Sequence, residues 1–299
     1  MHNARMHHAI VGPGGVGGLI GGCLAKFDED VTMVVRPEAA EKYPHQLTVE
    51  STLGNFTAPI KVSASVPACD VVWIAVKTTQ LETALASFSS DTPTRGIVPL
   101  QNGIDHAGML RRRYGAERVF PGTFAGESER VTAGHIAHRS PFARLQLIGS
   151  ARPLLTGTLE QFRQFGFMVD FIDDEATLLW SKLVILAPLA LVTSAAGAPI
   201  GEIASSPEWR PRLESCVREA CTVAIAERAH VNADVCLGLI GKLPYAMRSS
   251  MQKDLEQGNP IEVDAIGGPI LRAGKRHGIP VPVTEALVEI VTERTPQAS

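Results

Sequence analysis

Three observations in the sequence predict an α/β chain in two parts, a doubly wound parallel sheet followed by an all-helical region. The first is a glycine-rich stretch, His8-Ala9-Ile10-Val11-Gly12-Pro13-Gly14-Gly15-Val16-Gly17-Gly18, which leads from a short apolar run into a helical pattern over 16–27. The second is a succession of buried-strand runs at 31–35, 71–76 and 96–100, separated by helical stretches. Apolar runs spaced by helices are the signature of parallel strands covered on both faces. The third is a change of texture at Asp173-Asp174-Glu175, an acidic start suited to a helix N-terminus, with helical patterns from there to the end. The expected parts are residues 1–173 and 174–299.

The opening stretch carries chemistry as well as fold. Gly12, Gly14 and Gly17 have the G-x-G-x-x-G spacing. In a strand–turn–helix such glycines permit a tight turn, close approach of a pyrophosphate and close helix–sheet packing. The helix start presents N–H groups and a positive dipole end to phosphates. Residues Gly12, Pro13, Gly14, Gly15, Val16 and Gly17 are therefore the expected cofactor loop, and the first part is expected to be a Rossmann domain. The second strand ends at Arg36, nineteen residues after Gly17, where an NAD-binding protein usually places an acid for the ribose hydroxyls. Arginine suits the 2′-phosphate of NADP. A solvated surface arginine, with Glu38 serving NAD, is the competing reading.

Other elements follow in order. Residues 47–63 are β-rich, and 119–148 read as short strands finishing or flanking the parallel sheet. In the second part a long apolar helix is expected through Val192, then helices over 207–230, 233–257, 259–277 and 283–294, with breaks near Gly238, Pro244, Gly258 and Pro280. A cleft between the two parts is the natural place for a nicotinamide and its substrate.

Composition narrows the class. Apolar residues make up 45% and charged residues 20%, with a net charge of −3, so no basic bias favours nucleic acid or an anionic membrane. Arg111-Arg112-Arg113 reads as a solvated helix end. No apolar segment is expected to reach the length of a membrane span, and the N-terminus has no long apolar core of a signal peptide. A cytoplasmic location is expected. The five cysteines form no C-x-x-C pair and read as core thiols. His2, His7 and His8 read as incidental rather than as metal ligands, and no metal is expected.

Four further positions can perform chemistry. Lys77 follows the third strand run, at the carboxyl end where ligands of parallel sheets bind, and can reach a cofactor phosphate or ribose. Asn102-Gly103 follows the next strand, as a ligand contact or simply a turn. Lys182 lies in Trp180-Ser181-Lys182-Leu183-Val184-Ile185-Leu186; it is either a proton donor made more acidic by desolvation or a snorkelling lysine. Glu262, soon after Pro260, is either a helix cap or a group orienting Lys182 or the nicotinamide ribose.

Together these residues resemble the ketopantoate reductase (2-dehydropantoate 2-reductase) family over almost the whole chain. The resemblance rests on the glycine loop, Arg36, Lys77, Asn102-Gly103 and Trp180-x-Lys182-Leu183. It is most specific in Ser249-Ser250-Met251-Gln252-Lys253-Asp254-Leu255-Glu256-Gln257-Gly258, Ile261-Glu262-Val263-Asp264 and Gly278-Ile279-Pro280-Val281-Pro282. It implies a helical second domain related to those of 6-phosphogluconate dehydrogenases, NADP(H) as cofactor and a place in pantothenate biosynthesis. Lys182 would be the general acid, with Glu262 an active-site glutamate on the cofactor side. Ser250 would contact substrate, and Asn102 both cofactor and substrate. The expected partner is a small carbonyl compound; a homodimer is compatible with the sequence, which leaves oligomeric state open.

Departures from the family concern the substrate. Leu186 and Ala190 stand one and two turns after Lys182, and Ile200 in the following turn, where the family commonly has polar residues. Pro188 should kink this helix. A reductase of a more apolar ketone or 2-oxo acid is therefore the alternative. A non-catalytic NADP-binding sensor is a second alternative, but it has no need of Lys182, Ser250 and Glu262 together.

Overall fold

The computed structural model describes residues 5–295 and separates into two compact units. The first holds the described residues up to Gln101 and His106–Glu175; the second holds Asn102–Asp105 and the chain from Ala176 onward. A continuous division after residue 173 puts Asn102–Asp105 in the first part, whereas here these four residues pack with the second.

In the first unit the strands are β1 (His7–Val11), β2 (Asp30–Val34), β3 (Gln46–Ser51), β4 (Phe56–Pro59), β5 (Lys61–Ser63), β6 (Val71–Ile74), β7 (Gly96–Pro99), β8 (Gly122–Ala125), β9 (Ser128–Thr132), β10 (His135–His138), β11 (Arg144–Ile148) and β12 (Met168–Ile172). Its helices are α1 (Gly15–Lys26), α2 (Pro37–Ala40), α3 (Leu81–Ala84), α4 (His106–Tyr114) and α5 (Arg152–Phe165). Among the described residues, β5, β2, β1, β6 and β7 form a parallel sheet in that order. β1, β6 and β7 are buried almost throughout, as expected of central strands in a doubly wound sheet.

The region 119–148 flanks that sheet rather than finishing it. Its strands complete two further sheets, β4-β3-β10-β9 and β12-β11-β8, and a single bridge between Ile97 and Val119 links β7 to the segment before β8. The reason lies in α1, which needs cover on its second face. Cβ atoms at Gly18 and Gly22 would meet Ile136 and Val49 at 2.3 and 2.8 Å, so the β3/β10 sheet closes directly on this helix.

The N-terminal histidines serve the sheet. His7 Nε2 pairs with Thr32 Oγ1 at 2.9 Å, and Trp73 Nε1 donates to His8 Nδ1 at 3.1 Å. Burial pushes His8 down to about 3, against the opposing pull of Asp70, so it stays neutral near pH 7. His2 lies outside the described residues. Among the described residues no group of three His, Cys, Asp or Glu side chains is placed to hold a metal ion.

The second unit is helical: α6 (Glu175–Ala196, whose first residue belongs to the first unit), α7 (Ile200–Ser205), α8 (Trp209–Ala226), α9 (Ala233–Ile240), α10 (Ser250–Glu256), α11 (Val263–Ile266), α12 (Gly268–His277) and α13 (Pro282–Glu293). The break expected near Pro244 separates α9 from α10, whereas Gly238 stays inside α9; 259–277, expected as one helix, separates at Gly267 into α11 and α12. α6 also corrects the expectation that no segment is long enough to span a membrane. It has the length and hydropathy to do so, yet 67% of its apolar window is buried. A helix apolar on all sides is a core helix when other helices enclose it; here Val184, Ala187 and Leu191 pack in one core with Val217, Ala220 and Ile270. The helix is assigned without a break through Pro188 and ends at Gly197, which takes φ +69°.

Candidate active site

The glycine loop in the first unit is a backbone construction. Gly12 has φ +90°, and a Cβ there would lie 2.5 Å from Val76 Cγ1 and 2.8 Å from Val76 N. Both the left-handed conformation and the approach of the strand end require glycine. At Gly17 a Cβ would strike the Gly12 carbonyl at 2.3 Å, so the helix sits hard against the turn. Gly14 differs, because no heavy atom stands within 4 Å of where its Cβ would be. α1 then begins with no side-chain cap and no acidic residue in its first turn. An open backbone at a helix start with uncapped N–H groups fits a dinucleotide pyrophosphate. Pro13 lies between Gly12 and Gly14, and Val16 follows in the first turn of α1.

One contact of this loop was not visible in the sequence. Ser128 Oγ donates to the Gly15 carbonyl at 2.9 Å, and a Cβ on Gly15 would collide with the Ser128 carbonyl. These residues are 113 apart in the chain, and no local motif announces the pairing.

Arg36 stands beyond β2 and opens α2, largely exposed, with its Nε 3.3 Å from Glu38 Oε1. Lys77 follows β6 after Ala75 and Val76, half-buried and extended at the start of a short 3-10 turn. Gln101 was also missed by sequence reasoning. It is 4% exposed, and neither of its amide atoms has a hydrogen-bond partner. Buried polar groups ordinarily find partners.

Asn102, Lys182 and Glu262 converge in the second unit. Lys182 Nζ donates to Asn102 Oδ1 at 2.9 Å, and Asn102 Nδ2 donates to Glu262 Oε2 at 2.9 Å. The amide thus reads a cation on one side and a carboxylate on the other, which fixes its orientation. Asn102 is held there because Gly103 takes φ +80°, and a Cβ on Gly103 would reach the Ala265 carbonyl at 2.2 Å. Only glycine lets this turn press onto the segment carrying Glu262. Glu262 is buried at 7% exposure and immediately precedes α11. Lys182 projects from the second turn of α6 among apolar neighbours. Burial lowers its pKa from 10.5 to about 8, with the Glu262 charge opposing that shift. Such a lysine can hold a proton at neutral pH and release it with little cost.

Ser250 has a different setting from these three. It is exposed at the first position of α10, while neighbouring Ser249 caps the helix by accepting from Gln252 N and pairs with Thr193 Oγ1 at 2.8 Å. Of the apolar positions after Lys182, Leu186 keeps partial exposure; Ala190 and Ile200 are core residues at 1% and 3%.

Comparison with known proteins adds to this geometry. The family model described as Ketopantoate reductase PanE/ApbA matches residues 8–148, and the one described as Ketopantoate reductase PanE/ApbA C terminal matches 176–295. The uncharacterized oxidoreductase YkpB of Bacillus subtilis is 30% identical, covering 94% of this chain and 96% of its own length. A crystal structure of 2-dehydropantoate 2-reductase from Geobacter metallireducens GS-15 superposes with a TM-score of 0.85 at 27% identity, covering 97% of this chain and all of that one (100%). A D-mandelate dehydrogenase solved with NADH and anilino(oxo)acetate shares the fold, with a TM-score of 0.82 at 19% identity over 97% of this chain and 98% of its own.

Proposed function

The chain belongs to the ketopantoate reductase family, and on that premise we propose that it is an NADPH-dependent reductase of a 2-oxo acid. The family substrate, 2-dehydropantoate, is the first candidate, giving pantoate. The observation that carries this reading is the lysine whose pKa is lowered to about 8 and whose ammonium donates to Asn102.

Residues 12–17 would hold the pyrophosphate, Arg36 the 2′-phosphate, and Lys77 a phosphate or ribose. A dinucleotide held there would supply the hydride for reduction of the keto carbon. Lys182 donates a proton to the keto oxygen as negative charge develops there. Asn102 keeps the ammonium aimed while its own amide is fixed by Glu262. Glu262 keeps the lysine protonated by favouring the cation electrostatically. Ser250 would meet the substrate. A cytoplasmic role in pantothenate synthesis belongs to the same proposal.

Leu186 favours a second reading on one point. It places an apolar, partly exposed side chain one helical turn from Lys182, which suits a substrate with an apolar group near its carbonyl. Both readings are tested by following NADPH oxidation with 2-dehydropantoate and with aliphatic and aryl 2-oxo acids. The first expects the highest kcat/KM with 2-dehydropantoate; an apolar 2-oxo acid exceeding it tenfold would establish the second. No turnover of any 2-oxo acid by protein that binds NADPH would sink both.

A further inference from the structure

The five cysteines lack a motif, yet two of them meet. Cys221 on α8 and Cys236 on α9 are both free thiols, and Cys221 Sγ lies 3.9 Å from Cys236 Sγ. The other three are engaged differently. Cys23 is enclosed in the first unit's core, Cys69 Sγ donates to the Val71 carbonyl, and Cys216 Sγ lies 3.5 Å from Thr284 Oγ1.

The two thiols are not equivalent. Cys236 sits in the opening turns of α9, a helix capped by the Asn232 side chain. The hydrogen bond that Cys221 donates holds the Cys236 thiol below its ordinary range and pushes Cys221 above it. The acidic partner of such a pair is the better nucleophile at neutral pH. Although both sulfurs are buried, α9 has another face at the surface, with Val235 60% and Leu239 46% exposed. Arg218 and Asp234 tie the same two helices together alongside, at 3.1 Å. The Arg218–Asp234 pair and the thiol contact thus both hold α8 against α9. A disulfide requires the sulfurs to close from 3.9 Å to a bonded separation of about 2.0 Å.

We infer that Cys221 and Cys236 are a reversible disulfide site that cross-links α8 to α9 when the protein meets a peroxide. The Cys236 thiolate attacks one peroxide oxygen. The O–O bond breaks, and Cys236 becomes a sulfenic acid as hydroxide leaves and takes up a proton to form water. Cys221 sulfur then attacks the Cys236 sulfur; the S–S bond forms, the S–O bond breaks, and a second water leaves with the Cys221 proton. The two thiols lose two electrons and two protons, and one hydrogen peroxide becomes two waters. An added dithiol returns both thiols. This site is independent of the reading of the reductase chemistry.

The experiment treats the reduced full-length protein with hydrogen peroxide, blocks remaining thiols with iodoacetamide under denaturing conditions, and maps tryptic peptides. Cleavage after Arg218, Arg228 and Lys242 separates Cys221 in 219–228 from Cys236 in 229–242. The expected product is these two peptides joined, lost on dithiothreitol treatment, with Cys23, Cys69 and Cys216 still alkylated. Free thiols fall from five to three. Cys221→Ser and Cys236→Ser, checked for native circular dichroism, should each abolish the linked peptide. Full alkylation of Cys221 and Cys236 after peroxide treatment overturns the inference, as does a scatter of linkages among all the cysteines.

Discussion

The glycine loop after β1 and the lysine network on α6 are built in opposite ways. The loop uses backbone: one contiguous stretch, a left-handed glycine, close approach to a strand end and the uncapped start of α1. The network uses side chains from three segments, with Asn102 80 residues from Lys182 and 160 from Glu262. A backbone site needs only the right local turn, so a short motif carries it. A side-chain site needs the fold to bring distant residues to hydrogen-bonding range. If the two regions divide the labour between cofactor binding and proton transfer, damage to one should leave the other's readout intact.

Lys182→Ala gives the largest separation. General acid catalysis contributes about 10²–10⁴-fold, so kcat for the best 2-oxo acid should fall within that range while NADPH affinity, followed by nucleotide fluorescence, stays within about twofold. Unchanged turnover would remove the proton-donor role. The converse experiment is Arg36→Ala. A hydrogen bond to a charged group is worth about 1.5–3 kcal/mol, so NADPH affinity should drop roughly 10- to 100-fold. NADH affinity should hold, and equal losses for both nucleotides would cancel the 2′-phosphate assignment.

The network's electrostatics predict a pH signature. Burial lowers Lys182 from 10.5 to about 8, so the acid form that donates a proton dominates below that value. Ketone reduction should therefore decline as pH rises through about 8, and the reverse oxidation should gain. Glu262 raises the lysine's pKa. Glu262→Gln removes that support and should move the alkaline limb of log kcat to lower pH by about one unit. A limb that stays in place, or moves up, contradicts the coupling. The smallest effect is expected at Glu38, whose exposed ion pair with Arg36 would compete with a 2′-phosphate under the proposed assignment. Such pairs are worth about 0–1 kcal/mol. Glu38→Ala should tighten NADPH a few-fold and leave NADH unaffected; weaker NADPH binding would show Glu38 to be a contact instead.

Legibility differed between the two regions in the same way. The parallel sheet was readable because its strands are continuous apolar runs such as Val71-Val72-Trp73-Ile74, and such runs have few other ways to be buried. The position of 119–148 was less so. β8 to β11 are short, and nothing local states that Val49 and Ile136 must cover the second face of a glycine-rich α1. Pro244 announces the break between α9 and α10, but Gly238 stays inside α9, and the close packing at Gly267 that interrupts 259–277 has no such local signal. Lys182 stood out by its apolar company, whereas Ser128, Gln101 and the meeting of Cys221 with Cys236 had no local signal.

By itself the sequence determined a Rossmann-type domain, a helical second domain and the glycine-rich turn into α1, since each rests on periodicity or on glycine spacing within a few turns of chain. Tertiary structure alone decided that Asn102 leaves the first unit to bridge Lys182 and Glu262, and that burial brings the lysine's pKa to about 8. It also decided that Ala190 and Ile200 are core residues while Leu186 remains partly open. Hydrogen bonds and desolvation depend on distance in space, and a one-dimensional pattern fixes that distance only between near neighbours in the chain.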